Sequence, residues 1–90
     1  MYEPTQLMSK YIQLVSITWW LSEYTDYKVS SHLAAKEEKL SIKVYQNKKS
    51  TKASDIYIVE NIWTKPEKIA YKELDNIAQK LLMIKNELLD

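Results

Sequence analysis

His32 is the only histidine in the chain and no cysteine accompanies it, so the side chains that most often carry nucleophilic or metal chemistry are nearly missing. A structural zinc site wants four Cys or His ligands. A hydrolytic triad would have to be built on His32, to which nothing else in the sequence points. Glycine is absent as well. The phosphate-binding P-loop, the dinucleotide fingerprint, the nucleophile elbow and the EF-hand loop all depend on glycine for backbone reasons, so they are excluded. Carboxylates sit close in sequence at Glu37/Glu38, Glu73/Asp75 and Glu87/Asp90. Acid–base work would need one of a pair to be buried with its pKa raised; on a helix surface or a turn such pairs are ordinary solvated charge. The expectation is a protein that is not an enzyme and holds neither metal nor cofactor.

Charge is the more informative chemistry. All thirteen basic residues are Lys, against twelve acids. Residues 28–52 hold seven Lys against Glu37 and Glu38, a net +5, while residues 1–27 and 53–90 each carry −2, which returns the stated total of +1. A nearly neutral chain thus concentrates positive charge in one stretch, and such a patch steers polyanions. Lys43, Lys48, Lys49 and Lys52 are the candidate phosphate contacts, with Lys28 and Lys36 in support. The competing explanation is that these Lys solubilise a loop and guard a sheet edge. The absence of Arg argues against base readout, because Lys meets phosphate as a point charge whereas Arg reads guanine with two bonds.

Aromatic residues offer a second candidate. Seven Tyr and three Trp occur with no Phe, and Tyr and Trp are favoured where one end of the ring is wet, as at interfaces. Trp19 and Trp63 read as core. Trp20, with Ile17 beside it, falls within the polar stripe of the first helix. It reads either as a protein-interface anchor or as a side chain covered by a neighbouring loop.

These residues need elements to hold them. The first helix is predicted from about residue 4 to 24, with Pro4 in its first turn. At 100° per residue, Leu7, Met8, Tyr11, Ile12, Leu14, Val15, Trp19 and Leu21 share one arc, opposite Gln6, Ser9, Lys10, Gln13 and Ser16. Residues 40–44 alternate cleanly and read as a half-buried strand, with residues 56–63 as its partner. Residues 26–34 also alternate but run into the strong helix formers of 34–39. They read as a strand and tight turn, or alternatively as a short helix over 30–39 that converts the fold to a winged helix with 47–54 as the wing. The last helix starts near Pro66, after a Thr64–Glu67 capping box or a cap at Lys65. Its stripe of Leu74, Ile77, Leu81, Ile84 and Leu88 serves the sheet or a homodimer.

The expected architecture is therefore a single α+β domain over 1–90, helix–three-stranded antiparallel sheet–helix. Ninety residues is one domain's length. The opening Met1-Tyr2-Glu3-Pro4 lacks a signal peptide's basic start, and the apolar stretch 14–21 is too short and too polar for a membrane span. The expectation is a cytoplasmic protein (of a host cell, if viral) without a membrane partner. The leading functional reading is a non-catalytic nucleic-acid-binding or regulatory accessory protein using a Lys-rich hairpin. The rival is a protein-binding inhibitor or interaction module of a virus, phage or plasmid, acting through Trp20, Ile17 and the sheet.

Overall fold

The structure, a computed structural model, describes residues 6–89; the expected first turn at Pro4 and the carboxylate of Asp90 lie outside them. Helix α1 spans Gln6–Tyr24, strand β1 Lys28–Ala34, strand β2 Lys39–Tyr45, strand β3 Asp55–Val59 and helix α2 Glu67–Leu89. The strands form one antiparallel sheet in the order β1-β2-β3. This is the expected α-β-β-β-α arrangement, and the winged-helix alternative falls because residues 28–34 pair with β2 throughout. The helix formers after Ala34 make only a tight turn. An isolated helix of so few residues cannot offset its nucleation cost, whereas the alternating strand gains a ladder and a buried face.

That turn needs a left-handed residue, and without glycine the position falls to Glu38, at φ 51°. Its N–H donates to the carbonyl of Ala35 at 3.3 Å, and its own carbonyl accepts from Ile62 N–H at 3.0 Å. The turn is thereby tied to the connection between β3 and α2. That connection corrects one expectation: β3 stops at Val59 rather than continuing through Trp63. Asn61 is the second left-handed residue, at φ 54°, and Asn tolerates that conformation better than most residues. Its carbonyl accepts from Thr64 N–H and Lys65 N–H, and the Pro66 carbonyl accepts the first bonds of α2, from Ile69 and Ala70. Pro66 therefore occupies the N-cap position in place of Thr64 or Lys65.

Both helices lie on one face of the sheet. Leu40, Ile42 and Val44 of β2 alternate inward and meet Leu14, Ile17 and Leu21 of α1 and Leu74, Ile77, Ala78 and Leu81 of α2 in one cluster, closed by Val29, Val59 and Ile62. The stripe of α2 is thus occupied within the domain as far as Leu81, while Ile84 is half-buried and Leu88 exposed. Among the described residues no helix is long and apolar enough to cross a membrane.

Helix α1 is rotated from its expected phase. Its buried residues are Leu14, Ile17, Thr18 and Leu21, so Ile17, expected on the outer side beside Trp20, is instead part of the core. Trp19 and Trp63, expected in the core, are 58% and 54% exposed. The inward face was disguised by two polar residues whose partners the sequence hides. The Thr18 hydroxyl donates to the Val15 carbonyl at 2.7 Å, and Lys10 reaches Asp75 of α2 at 2.9 Å. The Ser22 hydroxyl fixes the rotation by donating to the Val29 carbonyl and accepting the Val29 N–H.

Candidate nucleic-acid interface

The face of the sheet away from the helices is open. Alternation along β2 sends Lys39, Ser41, Lys43 and Tyr45 to it, since their neighbours Leu40, Ile42 and Val44 point inward. The register adds Lys28, Ser30 and His32 from β1, opposite Tyr45, Lys43 and Ser41. From β3 it adds Ile56 and Ile58, opposite Lys43 and Ser41. None of these outward strand positions carries a carboxylate, so three Lys share a face with no acid among them.

The loop 46–54 between β2 and β3 extends that face at one end. It is a folded loop. Asn47 Oδ1 accepts the Lys49 N–H at 3.0 Å, the Asn47 carbonyl accepts the Ser50 N–H, and Ser54 N–H returns to the Val44 carbonyl at 2.7 Å. Two of the candidate Lys brace it. Lys28 Nζ lies 4.3 Å from the Tyr45 ring centre and donates to the Ser50 carbonyl at 3.4 Å; Lys48 Nζ donates to the Thr25 carbonyl at 2.6 Å. The side chains of Lys43, Lys49 and Lys52 are exposed, and no described residue binds their ammonium groups.

The structure therefore sorts the six candidates into three roles. Lys43, Lys49 and Lys52 are the available cations, and Lys28 and Lys48 hold the loop that presents two of them. Lys36 stands apart, on the turn at the far end of β2, about 20 Å away by the length of a seven-residue strand. Sequence proximity had grouped it with the others, but a hairpin sends neighbours in sequence to opposite ends. Lys39 was not among the candidates, although extending the alternation of residues 40–44 back by one position places it on the open face.

Trp20 is half-buried. Lys85 Nζ of α2 covers its ring at 4.7 Å, and the Tyr24 ring lies beside it with ring centres 5.8 Å apart. The cover comes from a helix rather than a loop, and the exposed tryptophan of this helix is its neighbour Trp19. Among the described residues no three His, Asp or Glu gather as a metal site would require.

No protein-family model matches the chain, and neither the search of curated proteins nor that of solved structures returned a significant match.

Proposed function

We propose that the chain is a small non-catalytic nucleic-acid-binding accessory protein that lays a phosphate backbone across its open sheet face and the 46–54 loop. The observation that supports this reading is the set of unpaired cations Lys43, Lys49 and Lys52 on a surface whose strand positions carry no acid. A solubilising role alone would not require two further Lys to brace the loop that presents them. With Lys in place of Arg, contacts go to phosphate as point charges, and sequence preference should be weak.

The test is the salt dependence of binding to generic duplex DNA. Each neutralised phosphate contributes about −0.9 to the slope of log affinity against log salt, so three engaged Lys give about −2.7. Replacing Lys43, Lys49 and Lys52 together by Gln should remove most of that slope with little change in melting temperature, since exposed substitutions usually change stability by less than about 0.5 kcal/mol. A wild-type protein that binds neither DNA nor RNA at about 50 mM salt, where such contacts are strong, would refute the reading.

A further inference from the structure

We infer that the outward side of α1 is where two copies of this chain meet, as an antiparallel helix pair about a two-fold axis. Met8, Ile12, Val15 and Trp19 recur at spacings of four, three and four residues, which aligns them along one side of the helix. Met8 and Ile12 are 51% and 54% exposed, Trp19 is more exposed still, and Val15 is half-buried. This line lies about a quarter-turn or more from the buried positions Leu14, Thr18 and Leu21.

The spacing is self-complementary. Positions 8 and 19 share a midpoint with positions 12 and 15, between residues 13 and 14. Two antiparallel helices related by a two-fold axis at that midpoint place Met8 opposite Trp19 of the second copy and Ile12 opposite its Val15, each contact occurring twice. The Met8 end of the line opens on an apolar cleft of about 310 Å³, lined by Leu7, Met8, Tyr11, Leu33, Ile62 and Trp63. The same pairing brings the Trp19 ring of the second copy to the mouth of that cleft, a bulky exposed knob beside a hole on the other copy.

Charge favours a second copy over a charged partner. Lys10 and Glu23 are the only charged residues in the nineteen of α1. Lys10 is turned to Asp75 of the same chain, and Glu23 lies beyond the paired segment. The rest of the outward side is Ser9, Gln13 and Ser16, so two copies meet without like charges, whereas a charged partner would lose hydration here with no opposite charge to meet. Four side chains over three turns, with the cleft rims, cover about 500 Å² per copy, at the small end of specific interfaces. The dimer is accordingly weak and concentration-dependent.

Sedimentation equilibrium of the full chain from about 10 μM to about 1 mM should show a monomer–dimer equilibrium, and Ile12→Lys and Trp19→Lys should be monomeric throughout with unchanged circular dichroism melts. The chain has no native Cys. Under mild oxidation the double variant Met8→Cys/Trp19→Cys should form a covalent dimer while neither single variant does, because the two positions lie about 16 Å apart along one helix and meet only between antiparallel copies. A Lys43→Gln/Lys49→Gln/Lys52→Gln variant should still dimerise, which keeps this inference separate from the nucleic-acid reading. Wild-type protein that stays monomeric at about 1 mM overturns the inference, as does a dimer that survives both Lys substitutions. Crosslinking of either single variant refutes the antiparallel pairing, and a monomer that uses Trp19 to bind a different protein refutes the choice of occupant.

Discussion

Helices α1 and α2 pack side by side on the same face of the sheet, yet they are built by different rules. Eight of the twenty-three residues of α2 are charged, and only two of the nineteen of α1 are. On α2 the charges exclude all but one face, so Ala70, Leu74, Ile77, Ala78 and Leu81 go inward with no competitor. On α1 apolar residues cover most of the circumference. Its inward phase is set by two polar residues with partners outside the helix, Lys10 with Asp75 and Ser22 with β1 at Val29, while the Thr18 hydroxyl is satisfied within the helix by the Val15 carbonyl and so tolerates burial. A helix's phase is read most securely from where its charges are. A helix nearly free of them keeps a second apolar side available for another surface.

Truncations in the core test the comparison most severely. Leu81→Ala and Leu14→Ala should each cost about 2–5 kcal/mol in denaturant melts, because both side chains are fully buried. Ile12→Ala, from the outward side of α1, should cost far less, near the roughly 0.5 kcal/mol of a surface change. Equal losses at Leu14 and Ile12 would show that α1 has been placed in the wrong rotation.

The Lys10–Asp75 pair is the link between the two helices, and pH should reveal it. The hydrogen bond from Lys10 holds the Asp75 carboxyl below its ordinary pKa, and the same bond raises Lys10 above its own. A lowered carboxylate pKa contributes stability that is present above the unfolded value and lost as pH falls through the folded one. The gap in melting temperature between the wild type and Asp75→Asn should therefore be full at neutral pH and close as the solution is acidified through and below the usual aspartate range. For Lys10 the sign is opposite: its contribution is present below the ordinary lysine pKa and disappears as pH rises through the raised one. A gap that stays constant down to strong acid would show that the pair does not contribute to stability.

The smallest effect is expected at Met83. It is exposed on the charged side of α2, away from both apolar lines, so Met83→Lys should change neither the melt by more than about 0.5 kcal/mol nor the sedimentation behaviour. Measured beside Ile12→Lys, it separates a lone exposed apolar residue from one that belongs to a surface.

What was legible in the sequence follows the same logic. Residues 40–44 and 74–81 each carry a single unambiguous period, and both elements came out in the expected phase. The segment 26–34 was resolved by its alternation rather than by the helix formers that follow it. The end of β3 was hidden because Ile62 and Trp63 prolong an apolar, β-prone run, while the interruption comes from the left-handed backbone at Asn61, which side-chain patterning does not report. The concentration of Lys in residues 28–52 identified the candidate surface. Its division into free and bracing side chains depended on contacts to Thr25, Tyr45 and Ser50 that no spacing rule supplies, and Lys36 was misplaced because the β1–β2 turn reverses the chain.

On the function proposed, the open sheet face and its loop meet phosphate while the helices do not. Titrating the isotopically labelled protein with a generic DNA duplex at low salt, and following every backbone amide by NMR, tests it most directly. Shifts should concentrate at Lys28, Lys39–Tyr45 and the loop 46–54, with Lys36 and the amides of α2 left in place and the shifts reversed by added salt. Shifts centred on α1, or none at all at protein and DNA concentrations of about 100 μM, within the range of non-specific phosphate affinities, would contradict it.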